Sequence, residues 1–128
     1  MIYLDSSVVL AAVFAEAIEP QVSFWKKNLV SSRLLEYEVI NRVHTRGLGA
    51  AAMAAARGAL ADITLSEMTP EILARALEPF PLPLRTLDGL HLATMDFLRG
   101  HGLTLRLATY DRRFAAAAMA LGFPLAEL

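Results

Sequence analysis

The chain contains no cysteine. That excludes disulfide staples, thiolate zinc sites and cysteine nucleophiles. Lysine is almost missing as well: Lys26 and Lys27 are the only two. No lysine therefore closes a phosphate-binding loop, and the seven glycines never form the G-x-G-x-x-G turn of a dinucleotide site. A G-x-S-x-G nucleophile elbow is also lacking. The three histidines have no partner four residues away, which leaves no helical zinc pair. Twelve basic residues against thirteen acidic ones leave a formal charge of −1. A polybasic coat for nucleic acid or membrane is excluded, and any nucleic acid must be held by a local patch. No uninterrupted apolar run exceeds eight residues, as in Val8–Ala15, against the ~20 that a transmembrane helix needs. Met1-Ile2-Tyr3-Leu4-Asp5 carries no basic leader. The expectation is a soluble, cytoplasmic protein with no signal peptide and no membrane segment.

What is present suits a folded domain. Hydrophobic residues make up 55% of the 128 and charged residues 20%, the opposite of a disordered composition. The length predicts one domain over residues 1–128, because chains of ~100–150 residues commonly form one and bury a core without staples.

Met1-Ile2-Tyr3-Leu4 is short and wholly apolar, then stops at Asp5-Ser6-Ser7. That reads as a buried strand running into a helix cap, with a helix over Val8–Ala15. Pro20 opens a second predicted helix, Leu29–Ser32 is a second strand, and Arg33 to about Arg46 is helical with Leu35, Val39 and Val43 on one face. After the Gly47-Leu48-Gly49 break, the alanine-rich Ala50–Ala61 predicts a helix and Asp62–Leu65 a third strand. Thr69-Pro70-Glu71 starts a helix that ends before Pro79, and the prolines of Phe80–Leu84 impose an extended loop. Thr86–Arg99 is helical, and Leu103–Ala108 alternates as a strand. Asp111–Leu121 is the last helix, and Phe123-Pro124-Leu125 can add a short strand. Strands alternate with helices throughout, which predicts an α/β domain with a parallel sheet covered on both faces.

Such sheets gather functional groups beyond the carboxyl ends of their strands. Four acids sit there: Asp5 after the first strand, Glu38 on the helix after the second, Asp88 in a first helical turn, and Asp111 just after the strand ending at Ala108. Hard divalent cations such as magnesium take oxygen ligands, so clustered carboxylates point to a metal site. Each acid also has a plain structural explanation. Asp5, Asp88 and Asp111 suit caps or first-turn positions, and Glu38 stands four residues before Arg42. Glu36 competes with Glu38, but two residues place it about 200° around the helix, so only one of them faces a common site.

These segments carry a resemblance. Met1-Ile2-Tyr3-Leu4-Asp5-Ser6-Ser7, Ser31-Ser32-Arg33-Leu34-Leu35-Glu36-Tyr37-Glu38-Val39, Leu87-Asp88-Gly89-Leu90-His91-Leu92-Ala93 and Leu107-Ala108-Thr109-Tyr110-Asp111-Arg112-Arg113-Phe114 resemble, in order, the four motifs of PIN-domain nucleases. Length and motif order are similar to VapC-type toxins of type II toxin–antitoxin pairs. The resemblance implies a three-layer α/β/α domain with a central parallel sheet of about four to five strands. It implies a metal-dependent endoribonuclease that uses Mg2+, with Mn2+ as a substitute, and leaves a 5′-phosphate. Asp5, Glu38, Asp88 and Asp111 would hold the metal directly or through water. Ser6 would orient Asp5, Thr109 would supply a neighbouring hydroxyl, and Asn41 would contact Glu38 or RNA. Arg42, Arg46, Arg112 and Arg113 are candidate phosphate contacts. Arg112 and Arg113 also stand where some relatives carry a further acid, which argues against a tightly held second metal. His91, three residues after Asp88, is expected to be a hydrogen-bonding partner behind the acids. The implied partners are RNA, a cognate antitoxin and a second copy of the chain. The alternatives are a non-catalytic PIN-like scaffold and a receiver-like magnesium-binding domain. The latter needs a lysine after a late strand, which this chain lacks.

Overall fold

Ile2–Leu4 is apolar on both sides because it is the inner strand of a sheet covered twice. A computed structural model describes residues 1–128. Its four strands are β1 (Ile2–Leu4), β2 (Leu29–Ser32), β3 (Thr64–Ser66) and β4 (Arg106–Ala108), all parallel in the order β3-β2-β1-β4. The register places Ile2 beside Leu29 and Arg106, and Leu4 beside Ala108. Six helices surround the sheet: α1 (Ser6–Val13), α2 (Arg33–Arg46), α3 (Gly49–Ala61), α4 (Pro70–Ala76), α5 (Thr86–Gly100) and α6 (Arg112–Ala120).

The two-residue period of the strands divides the core. Ile2, Leu4 and Leu29 point to one face and meet Val8 and Val9 of α1, Leu35, Val39 and Val43 of α2, and Ala56 and Leu60 of α3. Tyr3, Val30 and Leu107 point to the other and meet Leu92 and Met95 of α5 and Phe114, Ala117 and Ala118 of α6. The result is the three-layer α/β/α arrangement expected, with α4 packed on the outside of α5. Each large aliphatic side chain buried in these layers contributes about 1.5–3 kcal/mol. Ser32 caps α2 by accepting from the Leu34 amide at 3.1 Å, and Gly47 ends it in the left-handed conformation at φ 61°.

Several boundaries differ from the sequence reading. The helix expected from Pro20 is only a 3-10 turn over Val22–Lys26, since Phe24 alone is buried there and Val22 is 80% exposed. The third strand lies at Thr64–Ser66, displaced toward the positions where Val30–Ser32 offer partners. Leu105 is buried in the core and Leu103 packs partly buried against it, both outside the sheet, because β1 offers β4 only three positions. Phe123–Leu125 contributes one bridge, Leu107 to Leu125. The first helix begins at Ser6, not Val8.

Candidate metal and RNA site

The strand order reverses at β1: β2 and β3 lie on one side and β4 on the other. A crevice opens beyond the carboxyl ends of β1 and β4, as doubly covered sheets require at such a reversal. Its floor is tied by the Asp5 amide donating to the Ala108 carbonyl at 3.0 Å. The cleft encloses about 1080 Å³, and Asp5, Glu38, Asp88 and Asp111 all line it. Four acids from four separate elements thus share one cavity, whose wall also includes Glu16.

Each carboxylate is held differently. Asp5 is 5% exposed and occupies the cap position of α1, but its side chain accepts from no backbone amide of that helix. Its Oδ2 instead accepts from Ser7 Oγ and Thr109 Oγ1, both at 2.7 Å. Ser7 Oγ also accepts from the Tyr110 amide at 3.0 Å, which joins the ends of β1 and β4 through one small network. Asp111 is the cap of α6: its Oδ1 accepts from the amides of Arg113 and Phe114 at 2.9 and 3.2 Å. Glu38 has both oxygens engaged. Oε2 accepts from Ser6 Oγ at 3.0 Å, and Oε1 accepts from Nε2 of the fully buried His91. The Tyr3 hydroxyl lies 2.7 Å from the other ring nitrogen of His91. Asp88, in the first turn of α5, makes no side-chain hydrogen bond. Burial, followed by the nearby charges of Asp5 and Asp111, pushes its pKa up from 3.8 to about 6.

The arrangement corrects two expectations. Ser6 bonds to Glu38, and the hydroxyls that orient Asp5 are those of Ser7 and Thr109. Asn41 is exposed and does not line the cleft. Three residues along the helix turn it about 60° off Glu38 on one side, whereas four turn Arg42 about 40° on the other. Arg42 and then Arg46 therefore follow Glu38 along the cleft wall. Glu36 faces away, 3.6 Å from Arg33. Arg112 borders the cleft and Arg113 does not. Phe14 is half-buried in the cleft wall, beneath the Arg46 guanidinium at 4.2 Å from the ring centre.

Sequence reasoning missed Ser7 and Arg85. Ser7 had a signal, a second hydroxyl directly after Asp5 and Ser6. Arg85 had none, because only the approach of α5 to the strand ends brings it to the rim. Arg42, Arg46, Arg85 and Arg112 rim the acids, and none of them makes an ion pair within 4 Å. Their charges are free for an anionic ligand. No three acidic or histidine side chains converge tightly enough to ligate one ion directly. The donor set fits a hydrated hard cation, since magnesium keeps several of its waters and takes only one or two carboxylates directly. Asp5 and Asp111 each retain one oxygen with no hydrogen bond, and Asp88 retains both.

The PIN domain family model matches residues 2–119. The chain is also similar to Ribonuclease VapC46 of Mycobacterium tuberculosis, at 38% identity over an alignment that covers 94% of this chain and 92% of the relative.

Proposed function

The chain belongs to the PIN domain family, and from that premise we propose that residues 1–128 are a single PIN domain acting as a divalent-metal-dependent endoribonuclease, the toxin of a type II toxin–antitoxin pair. The observation that carries this reading is one cleft holding Asp5, Glu38, Asp88 and Asp111 with four unpaired arginines at its rim. The relative is a ribonuclease by name, which supports the same activity.

Asp5, Asp88 and Asp111 offer unengaged oxygens to Mg2+ or Mn2+, and Glu38, with both oxygens engaged, acts through water. When bound, the ion supplies charge stabilisation at phosphorus and a water acidic enough to attack it. The chain's own residues do the rest. Arg42, Arg46, Arg85 and Arg112 hold the phosphates on either side of the scissile one. Thr109 and Ser7 keep Asp5 in one rotamer, and the backbone amides of α6 keep Asp111 in another. Pre-set carboxylates avoid reorganisation at the moment of reaction.

The proposed partners are RNA, a cognate antitoxin that neutralises the cleft, and a second copy of the chain, in the cytoplasm where RNA is met. No helix is long and apolar enough to cross a membrane. The deciding experiment is cleavage of RNA with added Mg2+, Mn2+, Ca2+ or excess chelator. Magnesium and manganese should support it, and calcium, which prefers looser coordination, should support it poorly. Full cleavage in chelator, or wild-type activity in Asp5→Asn, would overturn the metal-nuclease reading, and no cleavage with any of the metals would favour a non-catalytic scaffold. Light scattering at micromolar concentration tests the dimer, and expression of the chain alone, which should be toxic, tests the toxin assignment.

A further inference from the structure

Behind the cleft acids lies a buried side chain that does not line the cleft. His91 is 0% exposed, yet both of its ring nitrogens are engaged. The three members of the chain come from three elements: Tyr3 on β1, His91 on α5 and Glu38 on α2. Buried polar rings are common, but a buried imidazole bridging a core phenol and a cleft carboxylate is a directed arrangement. An ionised carboxylate only accepts, so Nε2 must carry a proton and donate to Glu38. Ser6 holds the second oxygen of the same carboxylate. With both oxygens held from different elements, Glu38 cannot rotate without breaking a bond.

We infer that His91 is a positioning residue for cleavage, one that acts by donating from Nε2 to Glu38 while the Tyr3 hydroxyl holds Nδ1 and thereby fixes the ring. It rests on the reading of Glu38 as a working acid of the cleft. Outer groups that orient metal-site ligands typically change activity about 10–100-fold when lost. A glutamine at position 91 still presents an N–H toward Glu38. A leucine fills the space and presents none.

The experiment compares His91→Gln and His91→Leu in steady-state RNA cleavage, at temperatures where circular dichroism shows both folded. His91→Leu should lower kcat about 10–100-fold with KM for RNA unchanged, and His91→Gln should keep kcat within about 3-fold. A purely structural histidine would give the two variants equal kcat once folded, and that result overturns the inference. If His91→Leu does not fold, Tyr3→Phe takes its place. It keeps the ring volume and removes only the hydroxyl at Nδ1, and it should lower kcat with KM unchanged. An unchanged kcat in folded Tyr3→Phe overturns the inference. A second readout needs neither metal nor RNA: the imidazole proton–nitrogen correlation spectrum of the metal-free protein. It should show a proton on Nε2 of His91 whose signal shifts in Glu38→Gln. A proton on Nδ1 alone overturns the inference, even if ribonuclease activity stands. Absence of ribonuclease activity with the Nε2 signal intact would instead overturn the proposed function and leave the bridge in place.

Discussion

Asp88→Asn should make the metal-free protein more stable while disabling it. The sign comes from linkage. The folded-state pKa of Asp88 is raised to about 6 against an ordinary 3.8, so between those values the folded chain binds the proton more tightly than the unfolded chain does. Stability therefore falls as pH rises from about 4 to about 6, and the whole penalty is present above that. The span from 3.8 to about 6 sets an upper bound near 3 kcal/mol at about 1.36 kcal/mol per tenfold. Asp88 is only half-buried, and solvent screening reduces that to about 1–2 kcal/mol. Asparagine keeps the shape and removes the charge. For a chain of this size about 1 kcal/mol moves the melting temperature by roughly 4 °C. In chelator, at low salt and pH 7, the variant should melt about 4–8 °C above wild type. The gap should narrow toward pH 4, where Asp88 is protonated in the folded state and about half protonated in the unfolded one, and should narrow with added salt. Added Mg2+ should stabilise wild type more than the variant, because only the intact cleft gains binding energy on folding. Scanning calorimetry from pH 4 to 8 with chelator or Mg2+ measures all of this. A variant that melts at or below wild type at pH 7, or a gap independent of pH, would refute the electrostatic reasoning.

Further outcomes are expected. Glu38→Gln should abolish cleavage and keep the fold, while Glu36→Gln, on the far side of α2 beside Arg33, should be near neutral. The reverse pattern in a cleavage assay would mean the wrong face of α2 had been assigned. Arg42→Ala and Arg112→Ala should each weaken RNA binding at all sequences alike and reduce the slope of log affinity against log salt by about 0.7–0.9. A titration at several salt concentrations checks both. Ser32→Ala removes the cap bond to Leu34 and should cost about 1 kcal/mol in urea unfolding without changing kcat.

The local features of the chain were legible. The wholly apolar Ile2–Leu4, the stripe Leu35, Val39 and Val43 at four-residue spacing, and the Gly47 stop are set by neighbours within one or two helical turns. Their physical causes act over a few residues, so periodicity and cap chemistry reveal them. The short strands were legible only as regions. Leu103 and Leu105 alternate like a strand, but pairing needs a partner, and β1 has three residues to give.

The cleft divides along the same line. Which acids stand at the ends of strands and starts of helices followed from the order of residues, and the motif resemblance assembled them into one set. Which hydroxyl holds which acid did not follow. Ser6 and Glu38 are 32 residues apart, and Thr109 and Asp5 are 104 apart. Arg85 reaches the rim only because α5 begins there. The rise in the Asp88 pKa depends on burial and on Asp5 and Asp111 standing near it. Residue type and spacing along the chain determine a group's charge, donors and local helix face. Through-space distance determines whom it bonds to and how far its proton is shifted, and the crossing of β1 between β2 and β4 is what brought those distances into being.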